Sequence, residues 1–312
     1  MTLQKKSNLT LKGKNCLTLS DFSSDELFML IELAAQLKKE KFAPLLPGKS
    51  LGMIFEKPST RTRVSFEVGM TQLGGHALYL NGNDLQIGRG ESMADTAKVL
   101  SRYVDAIMIR TFEHQIVEEL AEASEVPVIN GLTNEYHPCQ VLADLLTIKE
   151  KLGSFAGKTL VYTGDGNNMA HSLMIGAAKI GMNAVVASPK GFGPDQKIVE
   201  KAQKYAFESG AFVKVVEDPS EAVHNADIIY TDVWASMGDD KDEKRMNALA
   251  PFQVNLQLFI QAKPSTLFMH CLPAHRGEEV TGEIIDGPSS IVFDQAENRL
   301  HAQKALLVAL MG

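Results

Sequence analysis

Apolar and polar positions alternate with two different periods along the first half of this chain. Short apolar runs typical of strands occur at 51–55, 77–80, 106–109 and 127–130. Between them, apolar residues recur at helical spacing over 21–41, 61–73, 91–103, 113–123 and 141–152. Strands that alternate with helices predict βαβ units and a mostly parallel sheet.

The same pattern restarts after Gly153. Strands are predicted at 159–163, 184–188, 212–216, 227–231, 267–270 and 291–294, with helices at 169–180, 194–209 and 296–310. We therefore predict an α/β fold of two lobes, each a mostly parallel sheet flanked by helices. The expected domains are 1–150 and 151–295, and ligands are expected in an interlobe cleft at the carboxyl ends of the strands.

Composition narrows the class of protein. The 312 residues are 45% hydrophobic and 22% charged, with a net charge of −7, which argues against a nucleic-acid or acidic membrane surface. No apolar stretch approaches the length of a membrane span, and the first residues contain no apolar signal core. Three widely spaced cysteines fit a reducing compartment, so a cytoplasmic enzyme is expected.

Hydroxyl and guanidinium side chains follow the first predicted strand, in the run Ser59, Thr60, Arg61, Thr62 and Arg63. The run lies where a helix begins, and the free N–H groups and dipole of a helix start favour an anion. Arginine adds permanently charged donors that match phosphate oxygens. We interpret the run as a phosphate site; a solvated helix start capped by Ser or Thr is the structural alternative.

Other polar residues follow predicted strands. Arg110 ends the strand at 106–109, and His137 and Gln140 lie at the entrance of the helix 141–152. All three can donate to a carbonyl or phosphate oxygen. Gln86 begins a glycine-containing loop over 86–92 that leads into the next helix. Each residue alone is also compatible with a structural role.

The loop from Gly164 to Asn168 invites a dinucleotide interpretation, which fails two tests. The third glycine of the pattern would stand at Met169, and the following strand ends in Ser188 without the acid that binds a ribose. An NAD-dependent dehydrogenase is therefore disfavoured. Asn167 and Asn168 suit an amino-acid carboxylate better, with N-capping as the alternative.

Three further candidates lie in the second half of the chain. Asp232 follows the strand at 227–231 and offers a carboxylate to a cation, and a charged stretch over 239–245 comes after it. Cys271 follows the strand at 267–270 and is either a site residue or a buried small side chain. Arg299 opens the terminal helix and is either a ligand or part of a surface ion pair.

Together these motifs resemble those of the carbamoyltransferase family over nearly the whole chain. Ser59–Arg63 resembles its carbamoyl-phosphate motif, and His137–Gln140 resembles its H-P-x-Q element. Asp232–Gly238 and His270–Pro273 resemble the D-x-x-x-S-M-G and H-C-L-P elements of the ornithine-type members. The resemblance implies transfer of a carbamoyl group from carbamoyl phosphate to L-ornithine, with the first domain binding the phosphate substrate and the second binding ornithine.

The resemblance also implies residue roles. Catalytic roles fall to Arg110, His137 and Cys271. Carbamoyl phosphate would be bound by Ser59, Thr60, Arg61, Thr62, Gln86, Arg110, His137, Gln140, Cys271, Leu272 and Arg299. Ornithine would be bound by Asn168, Asp232, Ser236 and Met237, with Asn167 as the alternative to Asn168.

The resemblance further implies a homotrimer in which Gln86 acts in a neighbouring subunit, and a terminal helix, 296–312, that packs on the first domain. No metal or cofactor is expected. Two alternatives remain: a carbamoyltransferase for putrescine or another diamine, and a paralogue that binds an amino acid and an anion without catalysis.

Overall fold

The computed structural model describes residues 11–87, 90–235 and 242–312, which divide into two compact units. Unit 1 comprises Met1–Thr133 and Leu300–Gly312, and unit 2 comprises Asn134–Arg299. The assignment of one substrate to each side of residue 150 remains a prediction.

Unit 1 is built on a sheet of four strands. The strands are β1 (Ser50–Phe55), β2 (His76–Asn81), β3 (Ala106–Arg110) and β4 (Val128–Leu132). The helices are α1 (Ser24–Lys39), α2 (Thr60–Gln72), α3 (Met93–Leu100) and α4 (His114–Ala123). A capping box starts α1, because Ser23 Oγ accepts the N–H of Glu26 while the Glu26 carboxylate accepts that of Ser23.

Unit 2 begins with α5 (Pro138–Leu152), which ends at Gly153 with a φ of 75° that glycine adopts without strain. Its strands are β5 (Thr159–Thr163), β6 (Asn183–Ala187), β7 (Val213–Val216), β8 (Ile228–Thr231) and β9 (Leu267–His270). Its further helices are α6 (Asn168–Lys179), α7 (Gln196–Ser209), α8 (Pro219–Val223), α9 (Glu243–Leu249), α10 (Leu256–Phe259) and α11 (Gly282–Ile285).

Both sheets are parallel, and each contains one point at which the direction of strand addition reverses. The order is β2-β1-β3-β4 in unit 1 and β7-β6-β5-β8-β9 in unit 2. The reversal falls between β1 and β3 in unit 1, and between β5 and β8 in unit 2. Open parallel sheets bind ligands outside the carboxyl ends of the strands at such points. The predicted α/β class with two parallel sheets is confirmed.

The predicted strand at 291–294 is wrong. These residues begin the long terminal helix α12 (Val292–Met311), and the N–H of Gln295 already donates to the carbonyl of Ile291 at 3.0 Å. The run is too short and too irregular to specify a strand: Val292 is buried, whereas Phe293 beside it is 74% exposed. Among the described residues, no helix is both long and apolar enough to cross a membrane.

Candidate active site

The predicted phosphate-binding run lies at the start of α2, just beyond the carboxyl end of β1. Ser59 is the N-cap residue: its Oγ accepts the N–H of Thr62 at 3.2 Å and donates to Thr62 Oγ1 at 3.1 Å. Thr62 is buried, whereas Thr60 is exposed. The N–H groups of a first helical turn have no acceptor within the helix, and the dipole makes this end positive. The turn therefore suits an anion.

The two arginines of the run have different surroundings. Arg63 Nε donates to the Glu67 carboxylate at 2.9 Å, and its guanidinium lies 3.8 Å from the centroid of the Tyr79 ring. Arg61 is half-buried, and its Nε is a buried donor without a hydrogen-bond partner among the described residues. Arg61 is therefore available to an anion, whereas Arg63 is engaged in local packing.

Arg110 lies at the same edge of the first sheet. It ends β3, is 7% exposed, and pairs in register with Phe55, the last residue of β1. Its carbonyl accepts the N–H of Glu56 at 2.9 Å, which ties the loop leading toward Ser59 to the end of β3. The structure thus brings Arg110 and the hydroxyl run together at the reversal point of unit 1.

Three predicted residues are not placed with these groups. Gln86 is exposed on the loop before α3, and within 11–87, 90–235 and 242–312 no hydrogen bond or ion pair joins it to Ser59 or Arg110. Ser236 and Met237 lie outside the described residues.

His137 and Gln140 lie at the start of α5 in unit 2. His137 is the N-cap residue, and its backbone N–H donates to Ser172 Oγ at 2.8 Å. Gln140 is completely buried, and its Nε2 donates to Asp144 Oδ1 at 2.9 Å, one turn further along the helix. Its Oε1 is buried and accepts no hydrogen bond from the described residues.

Arg299 is buried on α12, and its positive charge influences the Cys139 thiol of α5. Burial raises the pKa of the Cys139 thiol to about 12, although the positive charge of Arg299 opposes this rise. Cys139 is therefore a neutral, buried side chain and not a nucleophile.

The ornithine-type motifs meet at the reversal point of unit 2. Asp232 follows β8 and is 6% exposed. Its Oδ1 accepts the Cys271 thiol at 3.0 Å, and its Oδ2 accepts Asn167 Nδ2 at 3.2 Å. No Lys, Arg or His within the described ranges forms an ion pair with Asp232. Among the described residues, the hydrogen-bond partners of this buried carboxylate are therefore neutral donors.

The two asparagines after β5 lie at the start of α6. Asn167 is the N-cap residue of α6: its Oδ1 accepts the N–H of Met169 at 2.9 Å, while its amide nitrogen binds Asp232. Both ends of the Asn167 amide are therefore used within the protein. Asn168 is the first residue of α6 and is 7% exposed.

The loop after β9 is held by a buried imidazole. His270 Nδ1 accepts the N–H of Leu272 at 2.9 Å, so Nε2 carries the proton and donates to Glu279 Oε1 at 3.2 Å. Leu272 has a φ of 58° and is joined to Pro273 by a cis peptide bond. Burial opposes ionisation of Glu279, but hydrogen bonds from His270 and His275 outweigh it and lower the pKa of the Glu279 carboxyl.

Both nitrogens of His270 are therefore occupied, which bears on metal binding. Asp232, His270 and Cys271 are close enough together to surround an ion. His270 nevertheless has no free lone pair, and the Cys271 sulfur carries the proton that it donates to Asp232. In this arrangement the three side chains form a hydrogen-bonded group, and the absence of a metal remains a prediction.

The glycines of the loop after β5 have a packing role. A Cβ atom at Gly166 would collide with the backbone of Gly193 and Pro194, and the N–H of Gly166 donates to the Phe192 carbonyl at 2.7 Å. This close approach explains the glycine without any nucleotide, in agreement with the failed dinucleotide pattern.

Comparison with known proteins identifies the family. Residues 14–150 match the profile "Aspartate/ornithine carbamoyltransferase, carbamoyl-P binding domain", and residues 156–310 match "Aspartate/ornithine carbamoyltransferase, Asp/Orn binding domain". The chain belongs to the aspartate/ornithine carbamoyltransferase family. Within this family, the ornithine carbamoyltransferase of Anoxybacillus flavithermus (strain DSM 21510 / WK1) is 61% identical over 311 residues, which cover 98% of this chain and 99% of that protein.

Other members of the family are similarly close. The ornithine carbamoyltransferase of Bacillus subtilis (strain 168) is 60% identical over 303 residues, which cover 97% of this chain and 95% of that protein. The solved structure of ornithine carbamoyltransferase from Pyrococcus furiosus superposes with a TM-score of 0.95 at 57% identity, covering 97% of this chain and 99% of that one. The family membership predicted from the motifs is confirmed.

Sequence reasoning missed several buried polar residues that support the site. Asp144, Glu279 and Gln295 are all fully buried and hydrogen-bonded to predicted site residues or their neighbours. For Asp144 a signal existed: it stands four residues after Gln140, on the same helix face, within the mostly apolar stretch 141–148. Glu279 lies in the irregular loop that follows His270, and Gln295 is distant in sequence from its partners, so neither carries a comparable signal.

Proposed function

We propose that this chain transfers the carbamoyl group of carbamoyl phosphate to the δ-amine of L-ornithine, giving L-citrulline and phosphate. The choice of acceptor is carried by the Asp232 carboxylate, which is buried beside Cys271 and has no cationic partner among the described residues. Aspartate as acceptor would need a cation for its second carboxylate. A buried anion at this position instead selects a substrate that carries a second amine.

The phosphate group is assigned to unit 1. The first turn of α2, from Ser59 to Thr62, supplies N–H and hydroxyl donors, and Arg61 and Arg110 supply charge. The half-buried guanidinium with an unused Nε supports this assignment. These groups stabilise phosphate as it leaves, because its charge grows while the C–O bond breaks.

The carbamoyl group is assigned to the start of α5, and Thr62 and Arg110 share in binding its carbonyl. His137 donates to the carbonyl oxygen and stabilises the oxyanion of the tetrahedral intermediate. Gln140 accepts a hydrogen bond from the carbamoyl NH₂ through its unpartnered Oε1. Arg299, Leu272 and Gln86 complete the proposed carbamoyl-phosphate contacts.

L-Ornithine is assigned to the reversal point of the second sheet. Asn168, Ser236 and the backbone of Met237 bind its α-carboxylate and α-amine. The family motif supports Asn168, which lies at the start of α6, as the ligand, and Asn167 remains the alternative. Asp232 and Cys271 orient the δ-amine.

The δ-amine must lose a proton before it attacks. A Lys-like amine has a pKa near 10.4, so the free base costs about 4–5 kcal/mol at pH 7. Asp232 stabilises the cation and therefore serves binding and orientation. The first proton leaves to solvent. In the chemical step the neutral δ-nitrogen forms the new C–N bond, the C–O bond to phosphate breaks, and the departing phosphate takes the second proton from that nitrogen. No covalent bond to the enzyme is required.

The enzyme is proposed to act as a homotrimer in which Gln86 reaches a neighbouring subunit. The exposure of Gln86 within one chain supports this role. The three free cysteines support a reducing compartment, in agreement with a cytoplasmic enzyme.

The test is formation of a carbamoylated product from carbamoyl phosphate, with ornithine, putrescine and aspartate compared in parallel. We expect citrulline from ornithine and little product from the other two amines. Equal rates with putrescine would identify a diamine enzyme, and Asn168→Ala would then leave the rate unchanged. Binding of ornithine without any product would identify the non-catalytic alternative.

A further inference from the structure

A closed network of buried side chains stands behind Gln140 in unit 2. Asp144 on α5 accepts three hydrogen bonds: Gln140 Nε2 at 2.9 Å and Gln295 Nε2 at 2.8 Å on Oδ1, and the Tyr230 hydroxyl at 3.2 Å on Oδ2. Each of these four residues is 0% exposed. The carboxylate is thus surrounded by donors alone, an arrangement suited to its ionised form.

The network also reaches the strand that precedes Cys271. The amide of Gln295 donates to both Asp144 and the Tyr230 hydroxyl, the latter at 3.0 Å, while its Oε1 accepts the N–H of His270 at 3.0 Å. A backbone N–H can only donate, so it fixes which end of the Gln295 amide faces β9. The other end must then face Asp144.

The same logic applies to Gln140. An ionised carboxylate can only accept, so the NH₂ end of the Gln140 amide must face Asp144. The carbonyl end is therefore turned away from the network, where Oε1 is buried and has no partner among the described residues. A buried unpartnered acceptor is unfavourable unless a ligand satisfies it.

We propose that Asp144 is the positioning residue that orients the Gln140 amide as an acceptor, and that it thereby determines selectivity for a carbamoyl NH₂ over an acyl methyl group. Asp144 itself touches no substrate. This inference rests on the proposed function, which assigns the carbamoyl nitrogen to Gln140.

The arrangement has a consequence for pH. Burial raises the pKa of the Asp144 carboxyl to about 7, while hydrogen bonds from Gln140, Gln295 and Tyr230 and the charge of Arg299 oppose the rise. Above this pH the carboxylate enforces the amide orientation. Below this pH the protonated Asp144 carboxyl has an O–H that can donate. A Gln140 amide turned by 180°, with its oxygen toward Asp144, then accepts that hydrogen bond equally well. Selectivity should therefore decline as pH falls through about 7.

The test compares binding of carbamoyl phosphate with binding of acetyl phosphate, which has a methyl group in place of the NH₂. Dissociation constants of the full-length protein are measured calorimetrically between pH 6 and pH 8.5. The ratio of the two constants cancels ionisation of the phosphate, which both ligands share. For the unmodified protein we expect preference for carbamoyl phosphate by about tenfold at pH 8, declining severalfold by pH 6.

Asp144→Asn retains the shape of the side chain without its charge, and should show the low-pH ratio of the unmodified protein at every pH. Asp144→Leu removes the acceptor and should bring the ratio close to one. The matched control is Thr147→Val, which removes a buried hydroxyl one turn along the same helix and should retain the unmodified ratio and its pH dependence.

Two results would overturn the inference. One is an equal loss of affinity for carbamoyl phosphate and acetyl phosphate in the Asp144 variants, which would indicate that Asp144 is purely structural. The other is an Asp144→Asn ratio that still changes with pH as in the unmodified protein. Absence of citrulline formation would instead refute the proposed function, and the two-ligand ratio would still decide the role of Asp144.

Discussion

The Asp232→Asn substitution tests the choice of substrate most directly. Asp232 is 6% exposed, so water screens its charge poorly, and its two described partners, Cys271 and Asn167, are neutral donors. Asparagine can keep both contacts, with its oxygen toward Asn167 and its NH₂ toward the Cys271 sulfur. The substitution therefore removes the charge while it preserves the local packing.

The size of the effect follows from the lost interaction. A hydrogen bond that involves a charged group contributes about 1.5–3 kcal/mol, and each ~1.4 kcal/mol is a factor of ten. We expect kcat/KM for ornithine to fall about 10- to 150-fold, measured as citrulline formation at saturating carbamoyl phosphate.

A second ligand separates charge recognition from general damage. L-Norvaline has the carbon chain of ornithine without the δ-amine, so its inhibition constant should be nearly unchanged in Asp232→Asn. Asp227→Asn is the matched control. Asp227 is also a buried acid, it lies just before β8, and its carboxylate forms an ion pair with Lys263 at 3.0 Å. Equal weakening of norvaline and ornithine, or an unchanged kcat/KM for ornithine, would refute the role of Asp232.

Three further predictions concern anion binding and stability. Arg61→Ala should raise KM for carbamoyl phosphate at least tenfold with little change for ornithine, while Arg63→Ala should leave both nearly unchanged; a selective loss of ornithine binding would contradict this division. Lys304→Met should lower the free energy of unfolding by about 2–4 kcal/mol in denaturant titrations, because the buried Lys304 ammonium donates to three carbonyl oxygens near the end of α1. The control Lys151→Met removes only an exposed ion pair and should lower it by less than ~1 kcal/mol, so similar losses in the two variants would contradict burial as the cause. Glu279→Gln should destabilise the protein at neutral pH, and the difference in melting temperature from the unmodified protein should shrink as pH falls below about 4.3, because a carboxyl with a lowered pKa stabilises the fold only while it is ionised. A difference that does not change with pH would exclude the charge of Glu279 as the cause.

The strands that carry the site were predictable because parallel, doubly flanked strands are nearly continuous apolar runs. The run 106–109 became β3 with Arg110 as its last residue, and 227–231 became β8 followed by Asp232. The strand at 291–294 failed because three apolar residues do not distinguish a strand from a buried helix start.

The sequence by itself determined the fold class, the family and the residue types at the strand ends, because local periodicity and short motifs contain that information. Only the tertiary structure decided which polar groups are already engaged. It showed that both ends of the Asn167 amide are engaged, and it separated Arg61 from Arg63, since hydrogen bonds and stacking depend on neighbours that packing supplies. It also brought Gln295, from the terminal helix, to Asp144 on α5, a contact between residues 151 positions apart that no local pattern encodes.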